Sequence, residues 1–279
     1  MKEQVKKMEL IDFDGMFDEK LTVYMEEKKG KYTEKEWEDV IPRLYKKFGD
    51  TYVAKVGCTP KEYYAKMDDA KLVETLSAHL SSGVPVPEFL CNELELRDNV
   101  ELLFPLLESS DSATQSYAIN LILDDKRAYD SYFSLLCNEE ADADVRDDVA
   151  EIFKSNADMV KERALTAYKA GIAQEYMLEI LSRVLVGSDE IYNILMDEFV
   201  SAGERTPIRA SYLAAYGDTR ALPVLLERIE DRTIGFVEFQ ELKYAIEALG
   251  GEYNEPRDFS DDKDYLAVEY ATAKALSKE

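Results

Sequence analysis

The sequence predicts an all-α protein. Three observations carry that expectation: a hydrophobic pattern that returns every ~30 residues, apolar positions spaced i, i+3, i+4 within each return, and few turn formers, with 12 Gly and 8 Pro in 279 residues. The first two place one apolar stripe along a helix. The third leaves little room for a β sandwich or for long flexible linkers. At 46% hydrophobic residues the chain has enough apolar surface to fold rather than stay disordered.

The recurrence is read by following one hydrophobic dipeptide. Leu106-Leu107, Leu135-Leu136, Ala164-Leu165, Leu195-Met196 and Leu225-Leu226 are spaced by 29, 29, 30 and 30 residues. Behind each lies a second helical pattern: Ala118-Leu121-Ile122, Val149-Ile152-Phe153, Met177-Ile180-Leu181, Ala210-Leu213-Ala214 and Leu242-Ala245-Ile246-Leu249. Each unit therefore reads as two short helices, too small to bury its stripe without neighbours. Counting back from Leu106 reaches Leu76, which adds Asp68–Arg97 as a divergent first unit with Pro87 in the first turn of its second helix. That makes six units between about residues 68 and 250.

The junction Tyr216-Gly217-Asp218-Thr219-Arg220-Ala221-Leu222-Pro223-Val224-Leu225-Leu226 resembles that of HEAT-like repeats, which recur as Gly-Asp-x-Arg-Ala followed by Leu-Pro-x-Leu-Leu. Leu123-Asp124-Asp125-Lys126-Arg127-Ala128 is a weaker copy. Gly217 suits a left-handed helix end, Asp218 a cap for the next helix, and Arg220 a neighbouring Asp or carbonyls along the stack. The resemblance covers about two thirds of the chain. It implies a right-handed α-solenoid of about six HEAT-like helical hairpins, with an N-terminal helical segment and a C-terminal capping helix.

Three segments follow. Residues 1–66 form a helical cap or small module, opened by the capping box Thr33-Glu34-Lys35-Glu36 and the start signal Thr59-Pro60-Lys61-Glu62. Tyr52–Val56 is a short stretch with extended character. Residues 67–251 are the repeat array, which ends at Leu249-Gly250-Gly251. Residues 252–279 are a polar linker and an amphipathic capping helix carrying Tyr265, Leu266, Val268, Tyr270, Ala273 and Leu276.

Charge sets the choice of partners. The chain holds 34 basic and 58 acidic side chains, a net −24. Residues 1–66 hold 14 of each, so the whole excess lies in the array and its cap. Such a surface repels nucleic-acid phosphates and anionic membranes. The apolar runs fall short of a membrane span, Met1–Lys7 has no apolar signal core, and three scattered cysteines fit reduced thiols, so a cytoplasmic location is expected.

Motifs for catalysis are sparse. Leu10-Ile11-Asp12-Phe13-Asp14-Gly15 resembles the first motif of haloacid-dehalogenase-like phosphatases. That resemblance would make Asp12 a nucleophile and Asp14 a general acid beside Mg²⁺. The chemistry needs a central parallel sheet, and the helical pattern that follows argues instead for a loop capping the first helix. Calcium is disfavoured there, because Asp12, Asp14 and Asp18 lack the sixth-position Gly and the closing Glu of an EF-hand loop. His79 is the single histidine, on an apolar stripe with Leu72, Val73, Leu76 and Leu80, which suits a structural role. Cys58, Cys91 and Cys137 lack the spacing for zinc or redox work. No cofactor, no metal and no catalytic residue is assigned.

The second helices of HEAT-like units line a concave face that binds partners. By that resemblance the candidate binding residues are Asp148, Glu151, Glu179, Arg183, Arg209, Tyr212, Tyr216 and Glu247. The expected function is a non-catalytic scaffold or adaptor for a protein partner, plausibly a basic one, with no nucleic acid and no membrane. The alternative is an enzyme on the same fold, DNA glycosylase-like or lyase-like; the charge and the missing motifs disfavour it.

Overall fold

The computed structural model describes residues 10–276, so Met1–Lys7 lies outside the described residues. Within them the chain is all-helical, with sixteen α-helices, four 3-10 turns and no β-strand beyond one isolated antiparallel bridge between Val53 and Cys58. That bridge is all that the extended stretch Tyr52–Val56 becomes.

The chain forms two compact units. One comprises the described residues up to Leu135 together with Ala141–Asp148, and the other Leu136–Glu140 with the chain from Val149 onward. The division cuts two helices, Tyr129–Leu136 and Ala143–Ser155.

In the first unit, α1 (Phe13–Glu27) starts where the Asp12 carboxylate accepts the Gly15 N–H at 2.8 Å. α2 (Glu34–Phe48) starts on a complete capping box: Glu36 N–H donates to Thr33 Oγ1, and Thr33 N–H donates to Glu36 Oε2 at 2.8 Å. α3 (Pro60–Ala65) uses the same device at Thr59 and Glu62. α4 (Asp69–Ser82) is capped by Asp68 and ends at Gly83; α5 (Glu88–Arg97) follows Pro87, which stands at the cap position just before it. The 3-10 turn Val100–Leu103 leads into α6 (Phe104–Leu107), then α7 (Ser112–Ile122), and a second 3-10 turn Lys126–Ala128 leads into α8 (Tyr129–Leu136).

α3 and α4 both pack on α5, and α6 packs on α7. Residues 10–66, the described part of the charge-neutral segment 1–66, are thus docked on the first helix pair. Phe13, Tyr64, Leu72, Leu76 and Leu90 are buried between them. At about 25 cal/mol per Å² of apolar surface, each such side chain contributes roughly 1.5–3 kcal/mol. His79 is buried with its Nδ1 3.3 Å from the Val84 carbonyl, so it belongs to this core.

α9 (Ala143–Ser155) spans the division. The second unit continues with α10 (Ala157–Lys169), α11 (Gln174–Leu181), α12 (Asp189–Val200), α13 (Thr206–Tyr216), α14 (Leu222–Ile229), α15 (Phe236–Ala248) and α16 (Lys263–Leu276). α10 packs on α11, α12 on α13 and α14 on α15, while α13 also meets α11 and α15. The dipeptides at ~30-residue spacing fall in α6, α8, α10, α12 and α14, and their followers in α7, α9, α11, α13 and α15. Met177, Leu178, Ile180, Leu181, Leu195, Leu213, Leu225, Leu242 and Ile246 form the buried seam.

Two glycines shape this unit. Gly217 ends α13 at φ +77°, a conformation that costs side-chain-bearing residues 1–2 kcal/mol by rough measure. At Gly187 a Cβ would stand 2.6 Å from Tyr216 Oη, so only glycine lets that phenol reach the Ser188 backbone.

The polar stretch after Leu249 is held by Arg257, which donates to the carbonyls of Ile229 and Asp231 and lies over the Phe239 ring. α16 packs on α15 through Tyr265, which meets Phe236 edge-on. The rest of its apolar side departs from a buried cap face: Leu266, Val268 and Tyr270 are exposed.

Candidate functional site

Cations are scarce here, and the fold uses them twice over. Six of them each engage two carboxylates. Arg97 holds Asp69 and Glu93, and Arg127 holds Asp98 and Asp125. Lys154 holds Glu151 and Glu179, and Arg209 holds Glu175 and Glu198. Arg220 holds Asp189 and Asp218, and Arg228 holds Asp231 and Glu238. Five of these twelve pairs join residues 25 to 34 positions apart, and the other seven are local.

The densest cluster lies in the second unit around Arg209, in the second turn of α13. Its side chain is 3% exposed. Nη1 donates to Glu175 Oε2 at 2.9 Å and Nη2 to Glu175 Oε1 at 2.7 Å, a two-point grip that fixes the planar guanidinium. Nε lies 3.3 Å from Glu198 Oε2, while the other Glu198 oxygen accepts the Tyr168 hydroxyl at 2.7 Å. Arg209 also lies over the Tyr212 ring, 5.5 Å from its centre, and Arg205 makes a second contact to Glu175. Beside this, Lys154 joins Glu151 at 2.5 Å to Glu179 at 2.7 Å.

Electrostatics gives the cluster its character. The hydrogen bonds from Arg209 hold the Glu175 carboxyl below the usual carboxylate range. Burial pushes the Tyr212 phenol up to about 12, with Glu179 adding to it, and burial plus the Glu198 hydrogen bond brings Tyr168 to about 12. Glu175 is therefore a fixed anion and the two phenols are fixed neutral groups near pH 7. The cluster is suited to holding charge in place.

Of the residues singled out by sequence, Arg209, Tyr212 and Glu179 come together here, but Arg209 and Tyr212 are buried rather than offered at a surface. Tyr216 is bound to the Ser188 backbone. Glu151 and Glu179 are open enough to face a partner, with side chains 72% and 33% exposed. Arg183 is exposed, and so is Glu247, whose nearest cation, Lys243, is 3.9 Å away. Asp148 belongs to the other unit, where it accepts the Ser116 hydroxyl. Glu198 and Tyr168 were not legible as site residues. Their 30-residue separation, one repeat length, was the signal that could have found them.

Among the described residues no group of three or more His, Cys, Asp and Glu is placed to hold a metal ion, and no helix is long and apolar enough to cross a membrane. Comparison with protein-family models, with curated proteins and with solved structures finds no match to this chain.

Proposed function

We propose that this chain is a non-catalytic interaction scaffold, a HEAT-like right-handed α-solenoid that presents an acidic surface to a basic protein partner in the cytoplasm. One observation carries the reading. Six of the 20 basic side chains after residue 66 each hold two carboxylates of the array. With 44 acidic against 20 basic side chains after residue 66, carboxylates outnumber cations there by 24, a deficit of counter-charge within the segment. A partner that brings cations fills it. Such complementarity acts mainly on encounter rate and selectivity.

The repeat spacing and the Gly217–Leu226 junction support the HEAT-like class. Glu151, Glu179 and Glu247 on α9, α11 and α15 are the acidic groups proposed to meet the partner: the first two share the single Lys154, and Glu247 lies 3.9 Å from Lys243.

The test is affinity capture from source-cell lysate at about 0.05 M and about 0.3 M salt, against a charge-matched acidic control protein. Basic proteins enriched over the control at low salt and shed at high salt are the expected result. Affinity for a DNA duplex at about 0.15 M salt would overturn the reading.

A further inference from the structure

The first unit contains a cleft of about 890 Å³ between α1, α2, α5 and α7. Its walls include the rings of Phe17, Tyr45, Phe89 and Tyr117 and the carboxylates of Asp14 and Glu88. We infer that this cleft binds an organic cation, a small amine with an apolar body, through Asp14 and Glu88. The inference stands apart from the proposed scaffold role and needs none of the acidic surface of the second unit.

The Asp14 carboxylate is held in place with one oxygen to spare. Tyr45 donates its hydroxyl to Asp14 Oδ1 at 2.5 Å and accepts the Glu88 N–H at 3.3 Å. The Tyr45 ring is itself fixed, stacked on Phe89 at 4.6 Å with planes 5° apart and met edge-on by Phe17 at 5.0 Å. Asp14 Oδ2 has no hydrogen-bond partner among the described residues. A capping role does not account for Asp14, since Asp12 already takes the free N–H at the start of α1.

Among the described residues no cation answers this carboxylate. Lys61, on the rim, is bound to Asp50 at 2.8 Å, and Lys46 is exposed. Burial raises the Asp14 carboxyl above its ordinary value even though the Tyr45 hydrogen bond opposes it, and Asp12, Asp18 and Glu88 push the same way. The Cys91 thiol on the same wall is raised by burial, with Glu95, Glu88 and Asp14 adding to it. The cleft is thus a half-dry, electronegative space with aromatic faces.

That chemistry selects its ligand. Anions are repelled. A divalent metal would find too few ligating groups. An ammonium on Asp14 Oδ2 would relieve the unpaired charge, and its hydrocarbon body would cover the ring faces.

The experiment is calorimetric titration of the full chain with 2-phenylethylamine, with its neutral isostere 2-phenylethanol, and with Nα-acetyl-lysine amide. Either amine is expected to bind about tenfold or more tightly than the alcohol, because a charge-assisted hydrogen bond is added. The better of the two amines tells a free small molecule from a partner's lysine side chain. Asp14→Asn is expected to abolish the preference for amine while leaving the melting temperature at neutral pH at or above the parent value. The exposed Glu88→Gln, a surface change that leaves the core intact, is expected to reduce the preference. Absence of amine binding, equal binding of amine and alcohol, or an undiminished preference in a folded Asp14→Asn or Glu88→Gln variant would overturn the assignment.

Discussion

Arg220 Nη1 donates to Asp189 Oδ1 at 2.8 Å across a sequence separation of 31 residues, while its Nε and Nη2 hold Asp218, two residues back. Arg127 repeats the arrangement in the other unit, donating to Asp98, 29 residues back, and to Asp125. In both the local Asp also accepts the arginine's own backbone N–H and so caps the 3-10 turn at the junction. One side chain thus fixes a turn and ties it to the helix pair before it.

Burial decides which of these ties matters for stability. Arg209→Ala leaves Glu198 without its cation and Glu175 with Arg205 alone, and is expected to cost about 2 kcal/mol, below the full buried-pair value because the Glu175 side chain is 52% exposed. Arg220→Ala breaks an exposed pair and is expected to shift the urea midpoint far less. Equal losses for the two variants would contradict this ranking.

Acid is expected to destabilise the chain through the same pairs. Hydrogen bonds from Arg220, Arg127 and Arg209 hold Asp218, Asp125 and Glu175 below their ordinary values. A depressed folded pKa contributes stability that is present above the unfolded value, about 4, and is lost as pH falls through the folded value. Stability is therefore expected to drop below about pH 4, and the drop should be shallower in Arg209→Gln. A denaturation midpoint that is flat down to pH 2 would sink this account.

Alkali acts on the buried phenols. Burial raises Tyr45, Tyr64, Tyr117 and Tyr132 well above the usual tyrosine range and brings Tyr168 and Tyr212 to about 12. A raised folded pKa contributes stability that is present below the unfolded value, about 10, and is lost as pH climbs through the folded values. These six of the 18 tyrosines are expected to ionise in one step with the loss of helical circular dichroism. Complete phenolate formation with the helix signal intact would contradict it.

Much of the helix order was legible because its signals are local. The Thr33–Glu36 and Thr59–Glu62 boxes, the stop at Gly217 and the dipeptides at ~30-residue spacing each report on their own neighbourhood. Partners that meet across helices were not legible. Asp14 finds Tyr45 31 residues away, with no periodic pattern linking them. Arg209 reads as one more polar residue on a helix and becomes buried because Glu175 and Glu198 arrive from α11 and α12. The amphipathic pattern of α16 gave its period correctly, yet Leu266, Val268 and Tyr270 remain exposed, since a helix pattern does not specify which faces are covered.

The most direct test of the scaffold is capture by the parent chain beside a variant carrying Glu151→Gln, Glu179→Gln and Glu247→Gln, with the bound proteins quantified by mass spectrometry. Circular dichroism confirms that the variant is folded. The account predicts that the salt-sensitive basic proteins held by the parent fall several-fold on the variant, because three open carboxylates are gone and Lys154 is freed. The same proteins captured at the same levels by both chains would contradict it.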